Sequence, residues 1–245
     1  WIILTSTKRA SWQRSHKRRQ SCGAEEMRYV IIDARAMKIG IDISAALRAE
    51  RTGVEEYVFY LVKSLALLPE AKQHTFSLYM RSKRPWEYTA QSAKEYCEKV
   101  FGFSFPENFY VVPLCAPPFL FRLVRLALHF VRNAPDALFM TAHVMPIIAP
   151  TKTVVMVHGL EYERVPQCYS FPLRQYLRFA TRQSGKRAAA IITPSASTKN
   201  DLISLYGVAS DKISVVYHGR GEMNWSGSCP KEQRYIVHVG RVEIK

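Results

Sequence analysis

Residues 188–219 read AAAIITPSASTKNDLISLYGVASDKISVVYHG, and this stretch decides the fold. The apolar run Ala190–Pro194 predicts a buried strand. Ser197–Tyr206 predicts a helix, with Ser or Thr caps at its start and Gly207 at its end. Ile213–His218 predicts a second apolar strand. A strand, a crossover helix and another strand form the repeating unit of parallel sheets.

The same alternation extends towards the N-terminus. Further strands are predicted at Met37–Ile43, His74–Met80, Phe109–Leu114, Ala137–Thr141 and Val154–His158, and further helices at Val54–Leu68, Phe119–Val131 and Phe171–Arg187. The segment Arg81–Glu107 carries no pattern that we can assign. Apolar strands alternating with helices indicate an α/β fold, a Rossmann-like parallel sheet with helices on both faces. We assign residues 37–221 to this domain.

The regions outside this domain have a different composition. Residues 1–36 carry eight Lys or Arg against three Asp or Glu, and we expect a basic extension that is disordered or not native. Residues 222–234 are polar, with glycines and a proline, and are predicted to be a linker. Residues 235–245 begin YIVHVG and predict the first strand of a second, truncated Rossmann-like domain.

The net charge is +15, and a balance of this kind favours anionic partners. Nucleic acid binding is the less favoured explanation, because no helix-turn-helix, zinc-finger or RNA-recognition motif is visible. Five cysteines without a C-x-x-C pair indicate neither a disulfide framework nor a zinc site, and favour a reducing cytoplasm. Because no run of about 18 apolar residues occurs, no membrane-spanning helix is expected.

Parallel sheets bind ligands beyond the carboxyl ends of their strands. The residues that follow the predicted strands are Asp42, Gly53, His143, His158, Ser195, His218 and Gly219. A glycine before a helix lets a phosphate approach the free amides of the first turn, or simply forms a turn. From its position alone, His158 is either a ligand-binding side chain or the partner of a backbone carbonyl. We interpret Ser195 mainly as a capping residue and His143 as structural.

Four segments in order resemble glycosyltransferase family 4, whose members have the GT-B fold. The segments are MKIGIDISAALRAERTGVEEY (37–57), VVMVHGLEYERVPQCYS (154–170), the stretch 188–219, and YIVHVGRVEIK (235–245). Each segment is weakly specific alone, but their order and spacing together make a strong signal. The resemblance implies the acceptor-binding N-terminal domain of a GT-B enzyme, followed by the start of its donor-binding domain.

What the resemblance implies for function is a retaining, hexosyltransferase-type enzyme of polysaccharide biosynthesis. It would move a sugar from a nucleotide-diphosphate donor to a glycan or lipid-linked acceptor, with no cofactor and no metal. His158 would be the catalytic-cleft histidine that contacts the sugar, and Arg241 would bind the donor phosphate. The other substrate-binding residues would be Thr52, Gly53, Ser195, His218 and Gly219.

The sequence departs from the family pattern in two ways. The family often has Asp after the cleft histidine, where this chain has Gly159. The donor motif of two Glu separated by seven residues is absent, and the phosphate-binding lysine would fall at or just past Lys245. We therefore expect the fragment alone to be inactive. A non-catalytic binding module, or a partner of a separately encoded donor half, is the alternative.

Two basic helices bear on location. On the predicted helix Phe119–Asn133, an α-helical spacing places Arg122, Arg125, His129 and Arg132 on one face. Such a helix fits an anionic membrane surface or is solvated on a packed helix. A second row, Arg174, Arg178, Arg182 and Lys186, predicts a solvated or phosphate-attracting stripe. We expect a cytoplasmic protein, with peripheral binding to the inner face of the membrane as an open possibility.

Overall fold

The computed structural model describes residues 36–84, 87–150 and 152–219, and these form one seven-stranded parallel sheet. The strands are β1 Lys38–Asp42, β2 Thr75–Ser82, β3 Phe109–Cys115, β4 Ala137–Met140, β5 Thr153–Met156, β6 Ala190–Thr193 and β7 Ile213–Val215. Their order is β3-β2-β1-β4-β5-β6-β7, and every neighbouring pair is parallel. The predicted Rossmann-like α/β fold is confirmed.

Helices connect the strands. They are α1 Gly53–Leu67, α2 Ala90–Phe101, α3 Pro118–Leu120, α4 Leu126–Asn133, α5 Glu161–Arg164, α6 Phe171–Arg187 and α7 Ala196–Tyr206. Helix α2 lies in the segment to which the sequence assigned no structure. The buried side chains of this helix are Ala93, Cys97 and Phe101. These few apolar positions in a mostly polar segment give too weak a helical period to predict the helix from sequence. Gly102 ends it at φ 73°, a left-handed conformation that suits glycine.

The core lies on both faces of the sheet, as period-two alternation requires. In β4, Phe139 packs on one face with Val58 and Val62 of α1. Its neighbours Leu138 and Met140 pack on the other face, together with buried side chains of α4 and α7. Because both faces are covered, the strands consist of nearly continuous apolar runs.

The strand order reverses between β1 and β4. From β1 the chain proceeds outward through β2 and β3, then returns to place β4 on the opposite side of β1. The loops after β1 and β4 therefore leave in different directions and open a crevice at the carboxyl edge. Asp42 ends β1 and Thr141 follows β4, so these two residues mark the bottom of this crevice.

A π-helical turn, Phe121–Arg125, separates α3 from α4. The backbone N–H of Leu126 donates to the carbonyl of Phe121, five residues earlier, which adds one residue to the turn. Arg122 consequently points towards the sheet, where its side chain pairs with Asp42. The prediction that Arg122 shares a solvent-exposed face with the later basic residues is wrong, because that prediction assumed an uninterrupted α-helix.

The rest of that helix also differs from the prediction. His129 is half-buried, with its ring 5.5 Å from that of Tyr79. Leu128 and Val131 are instead the outward residues, each 61% exposed, beside the exposed Arg132. The outer face of α4 is therefore more apolar than its sequence spacing suggested.

The basic row on α6 is partly structural. Arg178 Nε donates to Glu163 at 2.9 Å, and Arg174 Nη2 lies 3.6 Å from the same carboxylate. The hydroxyl of Tyr206 donates to Glu163 as well, at 2.6 Å. These contacts join α5, α6 and α7, so the interpretation of the row as a solvated or phosphate-attracting stripe is corrected for Arg174 and Arg178.

Candidate active site

The bottom of the crevice is an ion pair between Asp42 and Arg122. Asp42 is fully buried, and its Oδ2 lies 2.5 Å from Nε of Arg122. Its Oδ1 accepts the backbone N–H of Ser44 at 3.0 Å, and its carbonyl accepts the hydroxyl of Thr141 at 2.8 Å. This one residue thus ties together β1, the loop after β1, the end of β4 and the π turn.

His158 lies two residues after the end of β5 and is linked to Asp42 through Thr141. Its Nε2 is 2.9 Å from the carbonyl oxygen of Thr141. A carbonyl can only accept, so Nε2 carries the proton and Nδ1 of the neutral ring is an acceptor. Burial lowers the pKa of His158, a lowering that the Thr141 hydrogen bond opposes and the nearby His218 reinforces. The ring is therefore neutral at pH 7 and can accept a hydrogen bond from a ligand hydroxyl.

Three rings cluster at this edge of the sheet. The Tyr57 ring centroid lies 5.0 Å from that of His158 and 4.8 Å from that of His218, and the two histidines are 5.6 Å apart. The structure therefore brings together His158 and His218, which the sequence proposed separately. Tyr57 was not among the predicted site residues. Its position one helical turn after Gly53 is the signal that could have identified it.

The start of α1 faces the same edge. The carboxylate of Glu55 accepts the backbone N–H of Thr52 at 3.1 Å and also contacts the Thr52 hydroxyl. Nη1 of Arg48 donates to Glu55 at 2.7 Å. Burial opposes the ionisation of Glu55, but these hydrogen bonds and the charge of Arg48 outweigh it and lower its pKa. Gly53 begins the helix, and a Cβ at this position would meet nothing within 4 Å. The helix end is therefore sterically open at Gly53.

Ser195 caps α7, as the sequence indicated. Its hydroxyl accepts the backbone N–H of Thr198 at 3.1 Å. The hydroxyl of Thr198 in turn donates to the carbonyl of His158 at 3.4 Å. Ser195 is thereby linked to the cleft histidine through one residue. Gly219 is also open, with nothing within 4 Å of an added Cβ.

Gly159 is the position at which the sequence departs from the family pattern. A Cβ built there would collide with the carboxylate of Glu161, which lies over this glycine. The carboxyl group beside position 159 therefore belongs to Glu161, two residues further along the chain than Gly159.

His143 is half-buried, and its Nδ1 is shielded from solvent. Its Nδ1 has no hydrogen-bond partner among the described residues, and its carbonyl accepts the hydroxyl of Ser184 at 2.7 Å. Burial lowers the pKa of His143 to about 4, with smaller contributions from the charges of His158 and Arg122. This histidine is neutral at physiological pH.

Some of the predicted features lie outside the described residues, and others concern metal binding and membrane location. Arg241 and the predicted linker and second-domain strand lie outside the described residues, as does the basic extension up to residue 35. Within the described ranges, no three His, Cys, Asp or Glu side chains are grouped so as to hold a metal ion. No helix in this part of the chain has the length and apolarity needed to cross a membrane.

Comparison with known proteins identifies the family. The model of Glycosyltransferase Family 4 matches residues 51–220, and the chain belongs to this family. The matched region contains every predicted site residue except Arg241. The chain is also similar to the O-antigen chain mannosyltransferase RfbU of Salmonella typhimurium, with 30% identity over 100 residues. That alignment spans 41% of this chain and 27% of the relative, about a quarter of its length.

Proposed function

We propose that this chain contributes the acceptor-binding half of a retaining glycosyltransferase. In the full enzyme, a sugar passes from a nucleotide-diphosphate donor to a glycan or lipid-linked acceptor during polysaccharide biosynthesis. The observation that carries the proposal is the crevice at the strand-order reversal, where His158 is held neutral beside Tyr57 and His218. Membership of Glycosyltransferase Family 4 supports the reaction class.

The reaction needs groups that recognise a sugar and groups that stabilise a leaving diphosphate. Nδ1 of His158 accepts a hydrogen bond from a sugar hydroxyl, and the Tyr57 ring forms an apolar wall beside it. The transition state resembles an oxocarbenium ion, while negative charge grows on the diphosphate. That charge is met by the amides at the start of α1, around Thr52 and Gly53, and by Arg241. Ser195, His218 and Gly219 line the substrate side. No metal or cofactor takes part in this proposal.

The location proposed is cytoplasmic, with peripheral contact at the inner face of the membrane. The outer face of α4 supports this contact, because Leu128 and Val131 are exposed beside Arg132. Ile147 and Ile148, each 50% exposed, extend the apolar surface. The N–H of Ile147 donates to the carbonyl of Leu123 in the π turn at 3.0 Å, so these residues adjoin the same helix.

The decisive experiment assays the product of the entire reading frame with nucleotide-diphosphate sugars. Mannose is the first donor sugar to test, because the relative is named a mannosyltransferase. Transfer to a glycan or lipid-linked acceptor with retention of anomeric configuration, and without added metal, is the expected result. Binding of glycans without transfer from any donor would favour the binding-module alternative.

A further inference from the structure

A second cavity opens beside the crevice and takes no part in the chemistry described above. It has a volume of about 520 Å³, which is within the range of small-molecule sites. Its walls come from the loop after β1, the end of β2, the segment between β2 and α2, the middle of α2, and the π turn. The buried side chains of Met80 and Phe121 form part of its wall. Arg122 lines the cavity as well, so the cavity adjoins the Asp42 ion pair.

Four cationic side chains line this cavity, and two of them are already paired with a carboxylate of the protein. Arg122 is neutralised by Asp42 at 2.5 Å, and Arg48 by Glu55 at 2.7 Å. The other two are Arg81 and Lys83. Within the part of the chain that the structure describes, Nη1 of Arg81 donates to an uncharged group, the carbonyl of Ala116, at 3.3 Å.

Lys83 is the more exposed of the two remaining cations. The one carboxylate that lines the cavity belongs to Glu87, and it accepts the backbone N–H groups of Lys83 at 2.5 Å and Arg84 at 3.2 Å. Among the ion pairs within the described ranges, neither Arg81 nor Lys83 takes part. Two cations that line one cavity and take part in no ion pair within the described ranges suit a ligand with a negative group.

Part of the cavity wall is aromatic. The rings of Tyr88 and Tyr96 lie 5.4 Å apart at an interplanar angle of 37°, and both line the cavity. Burial and the charge of Glu87 raise the pKa of Tyr88, so its hydroxyl stays protonated and can donate. A flat apolar face with a hydroxyl at its end matches a sugar ring, which has apolar C–H faces and polar edges.

We propose that this cavity binds a sugar phosphate unit of the acceptor, with the ring against Tyr88 and Tyr96 and the phosphate between Arg81 and Lys83. The inference rests on the proposed function, because it assumes that this half of the enzyme binds the acceptor. The phosphate belongs either to the sugar itself or to a diphosphate that joins the sugar to a lipid carrier. Both sources present the same negative oxygens to the two cations.

The test measures binding directly, without a donor, by titration calorimetry of the protein. The ligands are a set of hexose 1-phosphates, the matching uncharged methyl hexosides, inorganic phosphate, and a hexose joined through a diphosphate to a short alkyl chain. The hexose 1-phosphate should bind at least about tenfold more tightly than its methyl hexoside. Tighter binding of the alkyl diphosphate compound would assign the phosphate to a lipid carrier, and equal binding would assign it to the sugar.

Variants locate the effect. Lys83→Gln should weaken hexose 1-phosphate binding about fivefold to tenfold and leave methyl hexoside binding unchanged. Tyr96→Ala should weaken both ligands. Arg132→Gln removes the same charge from an exposed site on α4 and should change neither. Because Lys83 is exposed, its variant folds normally, whereas Arg81→Gln also loses the contact to Ala116.

Three outcomes overturn the inference. They are equal affinity for charged and uncharged hexosides, an equal loss in Arg132→Gln, and inorganic phosphate binding as tightly as the hexose phosphate. Failure of the inference is separable from failure of the proposed function. Transfer to an uncharged acceptor that Lys83→Gln leaves unchanged refutes only the inference. Hexose phosphate binding without transfer from any donor refutes only the proposed reaction.

Discussion

Nε of Arg122 lies 2.5 Å from Oδ2 of Asp42, which joins the π turn to the last residue of β1. Asp42 is fully buried and the Arg122 side chain is 23% exposed. Replacing Asp42 with Asn leaves the guanidinium without its counter-charge in a poorly solvated place. We expect Asp42→Asn to lower the free energy of unfolding by about 3 kcal/mol. Urea unfolding of the purified protein measures this change.

The double variant Asp42→Asn with Arg122→Met provides the control. Removing both charges together should cost clearly less than the sum of the two single changes. Additive costs would mean that Asp42 and Arg122 do not interact in solution, and would contradict an ion pair at the bottom of the crevice.

The same substitution, Gly to Ala, should have opposite effects at Gly53 and at Gly40. Gly53→Ala adds a methyl group to open space, so stability should change by no more than about 0.5 kcal/mol. The same methyl obstructs the approach of a phosphate to the start of α1, and the donor KM should rise about tenfold. Steady-state kinetics of the whole enzyme measures that rise.

Gly40→Ala should behave in the opposite way. Its Cβ would lie 2.7 Å from the Tyr79 ring and 3.0 Å from Pro135, so overpacking should cost about 1–3 kcal/mol. Donor KM should stay unchanged in the folded protein. An unchanged donor KM in Gly53→Ala would remove the start of α1 from the donor site.

His158→Ala should reduce kcat/KM at least about tenfold, the equivalent of one hydrogen bond to substrate. The loss of the Thr141 contact is confined to one side chain at the edge of the sheet, so the protein should remain folded. His129→Gln is the control. This half-buried histidine of α4 packs against Tyr79 of β2 and lies outside the three-ring cluster. Similar activities of the two variants would exclude His158 from the reaction.

His143 makes stability depend on pH. The pKa of His143 is about 4 in the folded protein and near its ordinary value of 6.5 in the unfolded chain. Between these values only the unfolded chain takes up the proton. The stabilisation is therefore complete above about pH 6.5 and is lost as the pH falls towards 4, by an amount on the order of 3 kcal/mol.

Urea unfolding across pH 4 to 8 tests this dependence. His143→Leu removes the titrating group and should flatten the slope between pH 4 and 6.5. At pH 8 the variant should be no less stable than the native protein, because Nδ1 of His143 is buried without a partner among the described residues. An unaltered slope would show that His143 does not cause the acid sensitivity.

Flotation with anionic liposomes tests the membrane contact. Leu128→Ser combined with Val131→Ser should reduce the lipid-bound fraction about tenfold or more, because two exposed apolar side chains are lost from one face. Leu205→Ser is a matched control on α7, where the leucine is 46% exposed. Equal effects of the two sets of changes would contradict a specific membrane face.

The strands were predictable because they are short apolar runs buried on both faces, and such runs do not show the period of an amphipathic helix. Ser195 was predictable for a similar reason, since a capping hydroxyl acts within its own turn. The contact between Asp42 and Arg122 was not predictable, because it spans 80 residues and depends on the phase of one helix. The three-ring cluster likewise depends on which loops the sheet order brings together. Local signals in the sequence do not contain that order.

The π turn also affects how this chain should be compared with its relatives. It places one residue more between α3 and α4 than a continuous α-helix of the same height would hold. A relative with an uninterrupted helix would therefore be one residue shorter at this point. An alignment without a gap would pair Arg122 with the residue next to its true counterpart in the relative. The arginine that pairs with Asp42 would then be scored as absent from a relative that has it. Placing a single-residue gap within Phe121–Arg125 restores the correspondence on both sides.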